Sequence, residues 1–145
     1  MSEISSGSIS IEASPAHIQS ILFDIASYPT WSSAIKKVEI LSTDGDGRVT
    51  SAKLSIDAGA MKDRVILDYD WSNAPGRLEF SLSDADLLTE MDGAYVIAPD
   101  GDDSTDVTYE LTVALSMPVP AIMRKKTEQA TIDLALKQLK AFAEK

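Results

Sequence analysis

Polar and apolar residues alternate along most of this chain, and the exceptions fall near its two ends. Ile9 and Ile11 stand among polar neighbours from Ser8 to Glu12, the period-two pattern of a strand with one buried face. Ser14 and Pro15 then form a helix start, since serine caps free amides and proline is tolerated in the first turn. Ile18, Ile21, Leu22 and Ile25 follow at spacings of three and four, predicting a helix to about Ala26. Pro29 discourages its continuation, and a second short helix is predicted from Pro29 to Ala34. From there the period returns to two, over Lys37 to Leu41, Val49 to Ala58, Arg64 to Trp71, Leu78 to Leu82, Met91 to Ile97 and Val107 to Val113. Asp44-Gly45-Asp46-Gly47 reads as a tight hairpin turn between two of these strands.

Short connections favour antiparallel neighbours, because parallel strands need long crossovers. After Met117-Pro118-Val119-Pro120, residues Ala121 to Lys145 contain no glycine or proline and predict one helix, long enough at about 1.5 Å per residue to span roughly 35 Å. Its inward stripe is Ile132, Ala135, Leu136, Leu139, Phe142 and Ala143. Projected toward the N-terminus, the same arc meets Ala121, Lys125 and Glu128, a change to polarity that fits a helix passing a pocket mouth. The layout predicts an α+β helix-grip fold: a curved antiparallel sheet of about seven strands wrapped around a long C-terminal helix, with two short helices between strands 1 and 2. Residues 1–145 read as a single domain.

Ser-Pro at the first helix, Tyr28-Pro29-Thr30-Trp31 after it, Ile56-Asp57-Ala58-Gly59-Ala60-Met61-Lys62-Asp63 before an aromatic strand, and Met117-Pro118-Val119-Pro120 before the last helix resemble the START-like helix-grip superfamily. Within it, the likeness is to bacterial SRPBCC proteins labelled polyketide cyclase/dehydrase, which include coenzyme Q-binding relatives. The resemblance covers nearly the whole chain and implies an apolar ligand held between sheet and helix, with Trp31 near the cavity entrance. A minority of the superfamily catalyse cyclisation or dehydration of polyketides.

Composition removes other classes. There is no cysteine, which excludes thiolate chemistry and disulfide scaffolds. The formal net charge of -10 opposes nucleic-acid binding, which draws most of its affinity from Lys and Arg on phosphates. It also disfavours a partner-binding regulator like the ribosome-associated relatives of the superfamily. The longest apolar run, Val113 to Met123, is interrupted by two prolines and too short for a membrane span. A cytoplasmic protein without stable membrane insertion is expected. The cluster Arg124-Lys125-Lys126 reads as a solvated helix face, or as a contact for an acidic ligand tail. Asp100, Asp102, Ser104 and Asp106 open like a calcium loop, but Thr105 stands where glycine is required and Leu111 where glutamate is required. No metal or cofactor is expected.

Strand parity gives the expected ligand-binding residues: Leu54, Ile56, Val65, Leu67, Tyr69, Phe80, Leu82, Met91, Tyr95, Tyr109 and Leu111, joined by Trp31, Met117 and Lys125. Gly93 and Ala52 at inward positions would suit an adaptable wall. The leading function is binding or transport of a lipid, isoprenoid, quinone or polyketide-like molecule. The alternative is a cyclase or dehydratase in which Tyr95, Tyr109, Asp63 and Asp84 move protons. Asp63 and Asp84 share the inward parity but stand at strand ends, where carboxylates commonly cap turns. His17, the only histidine, falls in the first turn of the first helix and offers no catalytic relay.

Overall fold

The computed structural model describes residues 4–57, 62–115 and 119–145. Ala58, Gly59, Ala60, Met61, Met117 and Pro118, named above, lie outside the described residues. Seven strands form one sheet: β1 (Ser5–Ile11), β2 (Ile35–Thr43), β3 (Val49–Asp57), β4 (Lys62–Asp70), β5 (Arg77–Ala85), β6 (Leu88–Pro99) and β7 (Thr105–Leu115). Their order is β1-β7-β6-β5-β4-β3-β2, and every neighbouring pair is antiparallel. Consecutive strands β2 to β7 form a meander, and β1 closes against β7 at the far edge. Among the described residues there are three α-helices: α1 (Pro15–Leu22), α2 (Tyr28–Trp31) and α3 (Ala121–Ala143).

The period-two pattern selects the inner face. Ala52, Leu54 and Ile56 of β3, Val65, Leu67 and Tyr69 of β4, and Val107, Tyr109, Leu111 and Val113 of β7 are all buried. Each strand puts alternate side chains on one face, so these residues converge beneath α3.

Helix α1 begins as its sequence requires: Ser14 accepts a hydrogen bond from the His17 amide at 3.2 Å, and Pro15 occupies the first turn. It stops at Leu22, four residues earlier than the apolar spacing predicts. The reason is local. The Tyr28 hydroxyl donates to the Leu22 carbonyl at 2.5 Å, satisfying an acceptor left open at the helix end, and Ile25–Ser27 tightens into a 3-10 turn. Ile25 is still buried by this route.

Helix α3 buries Glu128, Ile132, Leu136, Leu139 and Ala143. Ala121 and Lys125 are exposed, contrary to the projected arc. The buried stripe steps back by four from Ile132 to Glu128, so half-buried Arg124 continues it and Lys125 faces away. Glu128 anchors the helix to the sheet. Its carboxylate accepts from the Ser5 hydroxyl at 2.7 Å, the Val113 amide at 2.7 Å and the Arg124 guanidinium at 3.0 Å. Further along, Lys140 donates to the Ser10 carbonyl at 2.9 Å, and Glu144 accepts from the Glu12 amide at 2.8 Å. Gly7 permits the close approach, because a Cβ there would sit 2.9 Å from the Ile132 side chain.

Candidate functional site

A cavity lies between the inner face of the sheet and the second half of α3. Its walls are Leu54, Ile56, Leu67, Leu78 and Met91 from the strands, with Leu134 and Ala135 from the helix and Ile35 at the start of β2. Tyr28, Tyr69, Tyr95 and Tyr109 also line it, and these are the four tyrosines of the chain. Phe80 stands between two of them, its ring 6.2 Å from that of Tyr69 and 6.3 Å from that of Tyr109. Ser32, Thr131 and Gln138 supply the remaining polar atoms. Among the described residues no charged side chain lines the space.

The tyrosines are held differently. Tyr95 and Tyr109 are opposite one another on β6 and β7, with ring centroids 4.3 Å apart and planes 20° from parallel. Tyr28 spends its hydroxyl on the Leu22 carbonyl. Tyr69 makes no hydrogen bond with another described residue. Burial pushes all four phenols above their ordinary range, because a phenolate would lose its hydration there. Neighbouring phenols add to the effect on Tyr28, Tyr69 and Tyr95.

Gly93 shapes the wall at Phe80. A Cβ at position 93 would lie 2.6 Å from Phe80 Cε2 and 2.7 Å from the Glu110 carbonyl oxygen, so only glycine lets the Phe80 ring lie against β6. The lining reaches the surface between α3 and the α2–β2 connection, where Leu134 is exposed and Gln138 bridges to exposed Ser33. There Gln138 donates to the Ser33 hydroxyl at 2.8 Å and accepts from the Ser33 amide at 3.0 Å. The enclosed volume is about 60 Å³. This holds roughly two waters, well below the 300 Å³ or so at which ligand sites begin.

Of the residues expected from strand parity, Leu54, Ile56, Leu67, Tyr69, Phe80, Met91, Tyr95 and Tyr109 line the cavity. Val65 and Leu111 do not, being fully buried in the core around it, and Leu82 is half-buried outside the lining. Lys125 is on the exposed side of α3, and Met117 lies outside the described residues. Trp31 is buried behind Tyr28, rings 5.2 Å apart, with its indole N–H unpartnered and no place in the cavity lining.

The two aspartates are also elsewhere. Asp63 accepts from the amides of Arg64, Asp86, Leu87 and Leu88 at 2.8 to 3.1 Å, capping the turn between β5 and β6. Asp84 is exposed. A bulge sets Ile66 opposite Asp84 but Leu67 opposite Leu82, so the extra residue Ser83 reverses the parity and turns Asp84 outward. Sequence parity also missed Tyr28, Ser32, Ala34 and Ile35, which belong to the helix–strand connection, and Thr131, Leu134 and Gln138 on the flank of α3. Their signal was the polar-to-apolar edge of the helical stripe. Among the described residues no group of three metal-binding side chains occurs, and no helix is long and apolar enough to cross a membrane.

Residues 4–144 match the family model described as polyketide cyclase / dehydrase and lipid transport. The chain belongs to this family. Proteins of known structure share its whole architecture. A START superfamily protein from Mycobacterium smegmatis is 29% identical, with a TM-score of 0.92 and 97% of each chain covered. A Thermus thermophilus protein is 19% identical with a TM-score of 0.79, again over 97% of each chain. The Zhui aromatase/cyclase from a Streptomyces species is 14% identical with a TM-score of 0.77, covering 98% of this chain and 93% of its own. A comparison with curated protein sequences gave no match. The polyketide cyclase/dehydrase fold is thus the helix-grip fold read from the sequence, and the cavity occupies the space between its grip and its helix.

Proposed function

We propose that this protein binds a small hydrophobic ligand, of lipid, isoprenoid, quinone or polyketide-like type, in the cavity beneath α3. The observation that carries this reading is the gathering of every tyrosine of the chain into one space that no charged side chain of the described residues lines. Family membership supports it at the level of a ligand-binding or cyclase role. Binding requires the site to open, because about 60 Å³ does not admit such a molecule. The groups that must part are Gln138 and Ser33 at the mouth.

The cyclase or dehydratase reading keeps Tyr95 and Tyr109 within the site but loses its carboxylates, since Asp63 caps a turn and Asp84 points to solvent. Phenols raised by burial are also poor proton donors and acceptors near neutral pH. Binding is therefore favoured over proton-transfer catalysis. Native mass spectrometry of freshly purified protein, with analysis of its solvent extract, tests the reading, together with titration by a neutral fluorophore such as N-phenyl-1-naphthylamine. Saturable uptake near one molecule per chain, displaced by co-purified apolar material, is the expected result. Protein that carries no guest and takes up no fluorophore would overturn it.

A further inference from the structure

Among the described residues, two side chains leave a buried polar atom without any hydrogen-bond partner: the indole nitrogen of Trp31 and one carboxylate oxygen of Glu90. Glu90 is half-buried and precedes Met91 on β6. Met91 lines the cavity and strand neighbours face opposite sides, so Glu90 is turned away from it. Trp31 is different. The residue is 7% exposed and its N–H is closed off from solvent, so neither a protein acceptor nor bulk water satisfies it. Trp71, the other tryptophan, shows the ordinary arrangement, donating to the Val49 carbonyl at 2.6 Å. A donor stranded as in Trp31 carries the full cost of its lost hydration.

Trp31 ends α2, three residues after Tyr28 and one before Ser32, both of which line the cavity. Its ring packs against that of Tyr28 at 5.2 Å, so it forms a second layer behind the wall made by α2 and its connection to β2. That wall parts from α3 when the Ser33–Gln138 hydrogen bonds break. It has to part for binding, because about 60 Å³ admits no ligand of the kind proposed. Widening the site here moves Trp31 from the second layer to the first. A guest bearing an acceptor then meets the indole N–H that the closed state leaves bare, and a hydrocarbon guest does not. Among the described residues no charged side chain lines the cavity, so an anionic acceptor would be buried without a counter-charge.

We propose that Trp31 is a specificity-determining residue: in the filled site its indole N–H donates to an uncharged acceptor, such as a carbonyl oxygen, on an otherwise apolar ligand. This rests on the binding reading above and adds the residue and the chemical group by which the ligand is recognised.

Two rigid molecules of nearly the same shape, 1-indanone and indane, separate a hydrogen bond from apolar burial. Each is titrated against N-phenyl-1-naphthylamine, and its effect on the two indole N–H resonances of the native chain is followed by heteronuclear NMR. The native protein should favour the ketone by about tenfold, the worth of one good buried hydrogen bond. The ketone should move the Trp31 indole proton downfield, as hydrogen bonding does, and indane should not. The Trp71 resonance, already bonded, should stay in place with both. Trp31→Phe should abolish the preference by weakening the ketone alone; where that variant does not fold, the native spectra decide. A bound ketone that leaves the Trp31 proton in place, the same downfield shift with indane, equal native affinity for the two, or a preference that survives Trp31→Phe overturns the inference and leaves the binding reading standing. Failure of the fluorophore and both molecules to bind the native protein overturns the binding reading, and this inference with it.

Discussion

Tyr95 and Tyr109 stack across adjacent strands at 4.3 Å, within a cavity that holds the other two tyrosines as well. All four phenols are pushed above the ordinary value of 10.0 by burial. A group whose folded value is raised contributes stability that is full below its unfolded value and is lost as pH climbs toward the folded one. Stability should therefore hold to about pH 10 and fall above it. Tyrosinate absorbance near 295 nm should stay low through pH 10 and then rise in one steep step coincident with loss of circular dichroism. Independent, gradual ionisation near pH 10 would contradict the placement of these side chains.

Glu128 ties α3 to β1 and β7 from a fully buried position. Replacing it with alanine strands the Val113 amide and the Arg124 guanidinium. We expect Glu128→Ala to cost about 3 kcal/mol, lowering the melting temperature by roughly 10 °C in a chain of this size. Glu128→Gln, which still accepts from Ser5 or Val113, should lose about half as much. Urea titration of the three proteins checks the order.

Asp63 offers a contrast between structural and chemical roles. Its four amide partners predict that Asp63→Ala destabilises the β5–β6 turn by about 2 kcal/mol. Affinity for the neutral fluorophore should not change at a temperature where the variant is folded. A loss of binding without a loss of stability would place Asp63 in the site after all.

At Gly93 the expected effect lies in the cavity itself. Gly93→Ala must drive the Phe80 ring off β6 and into the small space beside Tyr69 and Tyr109, besides pressing on the Glu110 carbonyl. Fluorophore affinity should drop by tenfold or more, with a destabilisation of about 2 kcal/mol. Phe80→Leu, which removes ring volume without touching the backbone, should instead admit bulkier guests, measurable as a longer cut-off in a series of n-alkyl ketones.

Gln138 and Ser33 close the mouth with two exposed hydrogen bonds. Each is worth on the order of 1 kcal/mol, so Gln138→Ala should open the site more often and raise association and dissociation rates together by roughly threefold to tenfold. Stopped-flow mixing with the fluorophore reads both. A change confined to dissociation would mean that Gln138 holds the guest and not the door.

The order of elements, the seven strands and the inner face were legible because the side-chain period of a strand is fixed and one face must meet the core. That logic placed eight of the wall residues. It failed where a single extra residue breaks the period, as at Ser83, which sends Asp84 outward. It failed again where a local side-chain hydrogen bond outweighs helical spacing, as when Tyr28 closes α1 at Leu22. Lys125 was misplaced because a straight arc was drawn for a stripe that steps by four from Ile132 through Glu128 to Arg124. Tyr69 was marked with the other phenols by parity alone.

Because Ser5, Ser10 and Glu12 meet their helical partners more than 120 residues later along the polypeptide, the chamber has no roof until α3 docks. Such distant pairings make assembly slow and all-or-none. A truncated version ending before residue 121 would present the greasy floor of the sheet to water, and should be sticky and guest-free instead of a weaker binder.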